Sequence, residues 1–182
     1  LLTSDINNYA FCLMNLNKVS SAIDQFKKIG TSFPLTSINL AFLDYYNGKT
    51  INARNNYKKL FSKYINSNQQ AGALHLTIFG KGSYKPADQL VVQVKMRNVC
   101  AWNLCLIAAQ LKERDSVKAF KKYPKCSTEN EINVHNRVMF WVDHYMGDTD
   151  KARTKAKKLL KNLAKDDFMY DQILHDIEVL SQ

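Results

Sequence analysis

The stretch DINNYAFCLMNLNKVSSAIDQFKKIGTSFP, residues 5–34, decides the fold. Tyr9, Ala10, Leu13 and Leu16 recur at the spacing of one helical face. Asn17-Lys18 interrupts the pattern, and Ala22, Phe26 and Ile29 resume it before Pro34 closes the unit. Two short amphipathic helices joined by a tight turn cannot bury their apolar faces alone, so this unit predicts neighbours of its own kind.

Such neighbours are expected along the rest of the chain. Ala22, Ala53, Ala87, Ala119 and Ala152 stand 31, 34, 32 and 33 residues apart. Leu40, Ala41 and Leu43, the turn Asn47-Gly48, then Ala53, Tyr57 and Leu60 repeat the first unit. Val134 to Met146, the turn Gly147-Asp148 and the stripe Ala152, Ala156, Leu159, Leu160 and Leu163 repeat it again. A fourth unit spans Val99 to Cys126, with Trp102, Leu106 and Ala109 in its first helix and a second helix cut short by Pro124.

Between the second and fourth units the pattern has two readings. Residues 73–79 and 90–96 hold β-branched residues in alternation and, taken alone, fit a hairpin. The repeat spacing instead predicts helices there, with Ala87, Val91 and Val94 behind Pro86. Helices are the expectation, with units over 4–34, 35–66, 69–98, 99–127 and 131–165. A polar-faced capping helix is expected over 166–181, with Asp167, Asp171, Asp176 and Glu178 turned to solvent.

Ile6, Tyr9, Ala10, Leu13, Ala22, Phe26, Ile29 and Pro34 stand in the order and spacing of a tetratricopeptide repeat. Leu40, Ala41, Gly48, Ala53, Tyr57 and Leu60 repeat most of that pattern; Leu74, Gly82, Ala87, Val91 and Val94, and then Gly147, Ala152 and Leu159, repeat parts of it. The chain therefore resembles that family over roughly 160 residues in degenerate form. Two departures stand out: the fourth unit lacks a turn glycine, and Phe140 stands where a small residue usually packs. The resemblance implies an all-α, right-handed α-solenoid of about five helical hairpins with a capping helix, forming one domain over 1–182. The chain starts Leu1-Leu2 without Met and is expected to be part of a longer protein.

The resemblance also implies that the first helix of each pair lines a concave wall. That places Asn7, Phe11, Met14, Phe42, Tyr45, Tyr46, Leu76, Phe79, Leu104, Ala108, Leu111, Arg137, Trp141, His144 and Tyr145 on the wall. Asn7, Phe11, Met14, Phe42, Tyr45, Tyr46, Phe79, Arg137, Trp141, His144 and Tyr145 are the candidate partner-binding residues, because aromatics and arginine anchor interfaces. Phe42, Leu76 and Ala108 stand where carboxylate-gripping members of the family carry polar residues, so an apolar peptide or amphipathic helix suits the wall better. A protein-interaction scaffold is the expected function.

Charge supplies the alternative. The net charge is +10, with 18 Lys/Arg against 7 Asp/Glu over residues 1–130 and 8 against 9 over residues 131–182. The basic run Lys151–Lys165, and Lys121, Lys122 and Lys125 around Tyr123, could serve an RNA-binding module, although a basic helical face is ordinarily a solvated one.

Enzymatic chemistry finds no support in the residues. Gly80-Lys81-Gly82 lacks the length and the Lys-Ser/Thr of a phosphate loop, and His75, His135, His144 and His175 are scattered. Cys12, Cys100, Cys105 and Cys126 form no C-x-x-C pair, so neither zinc nor any other cofactor is expected. Cys12 and Cys105 read as small hydrophobes on apolar helix faces, and reduced thiols fit a cytoplasmic setting. No apolar run reaches 18 residues, so no membrane span is expected. The partner's identity and the oligomeric state are not encoded in any motif.

Overall fold

A computed structural model describes residues 2–30, 33–71, 74–79, 89–90, 94–167 and 169–182. Its described residues are mainly helical. Helices α1 (Thr3–Asn15) and α2 (Val19–Ile29) pack together, as do α3 (Pro34–Tyr46) and α4 (Thr50–Tyr64). Two further pairs are α5 (Met96–Gln110) with α6 (Arg114–Phe120) and α7 (Glu129–Tyr145) with α8 (Thr149–Asn162). A last helix, α9 (Tyr170–Val179), lies on α8. Between pairs, α2 touches α3, α4 touches α5, and α5 touches α7.

One turn design joins the helices of all four pairs. Asn17, Gly48, Lys112 and Gly147 have φ of 58°, 78°, 61° and 99°, the left-handed region. Each donates its N–H to the carbonyl three residues back, and the next residue donates to the carbonyl five back, as in Gly48 to Tyr45 (2.9 Å) and Lys49 to Asp44 (2.8 Å). These bonds satisfy carbonyls that the helix end would leave open. Five residues after each turn residue comes Ala22, Ala53, Val117 or Ala152, all buried. The three alanines have 0% exposure, so a larger side chain at these positions would have to push into a close-packed interior.

That register corrects the fourth unit. Ala119 is exposed and Val117 takes the crossing position, because the turn is set by Lys112 rather than by a glycine. The second helix is short, as expected, and ends at Phe120 before Pro124.

The helical reading of 69–98 is also corrected. Strand β1 (Gln70–Ala71) pairs antiparallel with β4 (Val94–Lys95), and β2 (Leu74–His75) pairs antiparallel with β3 (Gln89–Leu90). The β-branched residues and alternation there were the better guide. Gly82, Ala87 and Val91, which carried the expected third repeat, lie outside the described residues. Helix α5 begins at Met96, directly after β4.

Helix α5 is the centre of the molecule. Met96 and every residue from Asn98 to Ala109 are buried, as befits a helix that is apolar nearly all round. Trp102 and Phe140 are fully enclosed in the same core. The large Phe140 sits at the contact of α7 where a small residue was expected, and it has 0% exposure. A smaller cluster built on Ala10, Leu13, Met14, Ala22, Phe26, Phe42 and Leu43 holds α1, α2 and α3 together.

Two further expectations change. Cys12 is exposed, whereas Cys100 and Cys105 are buried, their thiols pushed up to about 12 chiefly by burial. Asp176 does not face solvent: it has 0% exposure and turns toward α7. The charged residues of α8 meet the expected pattern, with Lys151, Lys155 and Lys158 exposed opposite buried Ala152, Ala156 and Leu159. Among the described residues, no helix is long and apolar enough to cross a membrane.

Candidate functional site

The first helices of the pairs present their aromatics to a segment of the chain itself. Residues 75–78 are buried, and they run past α1, α3, α5 and α7 without joining any helix. Asn103, on α5, holds the middle of this segment. Its Oδ1 accepts the N–H of Thr77 at 2.8 Å, and its Nδ2 donates to the carbonyls of His75 (3.1 Å) and Val99 (3.0 Å). Two helical turns further on, Gln110 donates Nε2 to the Thr77 carbonyl at 2.6 Å and accepts the Tyr45 hydroxyl at 2.8 Å. A carboxamide that both donates and accepts can grip a main chain outside any helix without reading its side chains.

Side chains complete the grip. The His75 ring lies stacked on Phe42, with centroids 4.7 Å apart, and tilted against Phe11 at 5.4 Å. Burial lowers His75 to about 3, so the ring is neutral at physiological pH and suits its two apolar neighbours. At the other end, Phe79 meets Trp141 edge-on at 5.2 Å and His175 of α9 at 6.1 Å. Trp141 in turn packs against His144 and Tyr145. Leu76 and Ile78 enter the main core.

The expected wall residues thus divide. Phe11, Phe42, Tyr45, Trp141, His144 and Tyr145 are gathered along one path, from α1 to α7, whereas Phe79, expected on the wall, lies on the non-helical segment that crosses it. Phe42, Tyr45 and Trp141 are buried; Phe11, Phe79, His144 and Tyr145 remain half-buried. Burial raises the phenol of Tyr45 to about 12 and that of Tyr145 beyond the usual range. His144 is lowered, first by burial and then by nearby Lys112. Lys112 Nζ also bonds the Tyr145 carbonyl, tying the α5–α6 turn to the end of α7.

The remaining candidates serve other contacts. Asn7 is buried and accepts the Thr36 hydroxyl at 3.2 Å, joining α1 to α3. Met14 is buried in the first cluster. Tyr46 is half-buried and donates to Asn17 Oδ1 at 2.9 Å, bracing the first turn. Arg137 is only 1% exposed, its guanidinium held by Asp176 (2.7 and 2.9 Å) and by Gln172 Oε1 (2.7 Å). Helix α9 therefore covers the position at which Arg137 was expected to meet a partner.

Asn103, Gln110 and His75 were absent from the expected site. The fourth unit was read with Leu104, Ala108 and Leu111 inward, one position off the true face. Leu104 and Ala108 are core residues, and Leu111 is 37% exposed. The available signal was an asparagine within an apolar helix, seven residues before a glutamine, which places both carboxamides on one face.

The basic candidates lie elsewhere. Lys121, Lys122 and Lys125 are exposed, and Tyr123 is 43% exposed with its ring edge-on to Phe61. Lys155 and Lys151 pair with Asp143 at 2.5 and 3.3 Å. Among the described residues, no three His, Cys, Asp or Glu side chains come together as a metal set. Comparison with protein-family models, curated proteins and solved structures finds no match to this chain.

Proposed function

We propose that the chain is a helical-repeat scaffold that grips an extended, apolar segment of a partner protein along the wall formed by α1, α3, α5 and α7. The carrying observation is the double grip of Asn103 and Gln110 on the non-helical main chain of Thr77 and His75 between flanking aromatics. The helix pairs and their shared turn support a right-handed stack of the tetratricopeptide kind, with the β-paired segment inserted between α4 and α5. The wall is poor in charge, so apolar burial and main-chain hydrogen bonds would supply the affinity.

A selection of extended heptapeptides on the immobilised chain tests this reading. Uncharged peptides rich in aliphatic and aromatic residues should be enriched. Truncating the half-buried Phe11 or Tyr145 to Ala should weaken their binding by about 1–2 kcal/mol, within the usual range for interface aromatics. Reversing the exposed Lys122 and Lys158 to Glu should leave it unchanged.

The RNA-binding reading predicts the opposite. Affinity for single-stranded RNA would fall steeply from about 50 to 200 mM salt, and the two lysine reversals would abolish it. The observation that favours this second reading is the exposed Tyr123 among Lys121, Lys122 and Lys125.

A further inference from the structure

The wall described above is occupied, and its occupant has the properties of a ligand. Residues 75–79 read His-Leu-Thr-Ile-Phe and carry no formal charge with His75 neutral. Their main chain is held chiefly by carboxamide side chains of α5; within the segment, Ile78 donates to Leu76 at 2.9 Å. The strands that lead in and out pair over two residues each. One end is half-buried, at Phe79. Beside it, the indole N–H of Trp141, whose side chain is 1% exposed, has no acceptor among the described residues.

From this we infer that residues 75–79 are an internal occupant of the peptide site, and that a partner enters by displacing them. The inference rests on the peptide-wall reading and names the ligand more closely. It is an uncharged, non-helical stretch that turns at its third residue, with an aromatic or neutral imidazole ring first, a small hydroxyl or β-branched residue third and an aromatic fifth. The first ring takes the place of His75 between Phe11 and Phe42. The third residue gives its N–H to Asn103 and its carbonyl to Gln110. The fifth takes the place of Phe79 on Trp141, whose unused N–H is open to the next carbonyl. Because the internal segment is covalently tethered, it competes at a high effective concentration and holds free partners off until they are abundant or bivalent.

The test uses a fluorescent peptide with the sequence Leu-His-Leu-Thr-Ile-Phe and a Ser-Gly tail, followed by anisotropy. Two variants of the full chain loosen the internal segment. Ile78→Asp puts a carboxylate against the apolar wall, and Phe79→Ala removes the half-buried ring at milder cost to the fold. The peptide should bind Ile78→Asp at least tenfold more tightly than the wild type, and Phe79→Ala at least threefold more tightly. A scrambled peptide should bind neither variant.

Equal binding to wild type and variants would overturn the internal occupant while leaving the peptide wall standing. No binding to Phe79→Ala, with its helical content and cooperative melting intact, would overturn both, because the segment would then be permanent core. Should Ile78→Asp fail to fold, Phe79→Ala alone decides between these outcomes.

Discussion

Replacing Asp176 by Ala is expected to destabilise the protein by about 3–5 kcal/mol, the range for breaking a buried ion pair on one side. Arg137 is 1% exposed and Asp176 0%. The carboxylate receives Nε at 2.7 Å and Nη2 at 2.9 Å, a two-point contact that fixes the guanidinium plane. Removing it leaves a cation in the core with Gln172 as its remaining acceptor in this contact. Asp176→Asn keeps the shape and one acceptor and should fall between. Replacing both partners by apolar residues of similar volume should cost far less than either single change. By contrast, Lys151→Ala removes ion pairs from a half-exposed lysine and should cost under about 1 kcal/mol. Urea unfolding followed by helical circular dichroism measures all four. A loss below 1 kcal/mol for Asp176→Ala would mean that α9 is not seated on α7.

Asn103→Ala is the second large effect, roughly 1–3 kcal/mol, since it leaves the buried Thr77 N–H without its Asn103 acceptor and removes one donor from the His75 carbonyl. Thr77 has 0% exposure, so no water-filled route to its amide is expected. Asn103→Asp retains an acceptor for Thr77 but loses the donor to His75 and buries a charge, so it should be no milder. Asn98→Ala on the same helix gives the comparison. Its carboxamide bonds Glu131 at 2.9 Å and the Lys125 main chain at 3.1 and 3.3 Å. It should destabilise similarly but leave the 75–79 segment in place. The same unfolding experiment, with the Trp141 environment as a second probe, separates the two. A loss from Asn103→Ala of under 1 kcal/mol would remove the main-chain grip from the site.

How far the sequence carried the fold depends on the element. Helix pairs were legible where the turn held a recognisable residue, as at Asn17, Gly48 and Gly147. Lys112 adopts the same positive φ without any sequence mark. The consequence was a misplaced register in the fourth unit, with Ala119 read as the crossing residue in place of Val117. Over 69–98 a spacing argument overrode local composition, whereas the described residues pair as short strands at 70–71 with 94–95 and at 74–75 with 89–90. The four spacings between the five alanines are real in the sequence, but in the α5–α6 pair the position five residues after the turn holds Val117, not an alanine.

The site was legible as a set of aromatics and illegible as an assembly. The family resemblance implied that Phe42, Tyr45 and Trp141 share one wall, but it could not show that another part of the chain would cover them. Arg137 and Asp176 lie 39 positions apart; alone, the first read as a partner-binding residue of the wall and the second as a solvent-facing charge. Long-range pairing of that kind leaves no mark in local pattern. Asn103 and Gln110 did leave one, as polar residues in register on an apolar helix, and a search for buried carboxamides would have found them.

Native-state hydrogen exchange of the Thr77 amide, compared with amides of α5 such as Leu106, tests the central claim most directly. A segment seated on the wall yet able to leave it should be protected at Thr77, but through an opening smaller than global unfolding. Its exchange should therefore be slower than that of an open loop and faster than that of Leu106, and it should respond only weakly to denaturant. Exchange at the open-loop rate would contradict the seating of the segment. Exchange matching Leu106 across the denaturant range would make the segment part of the permanent core and leave the wall no vacancy to offer.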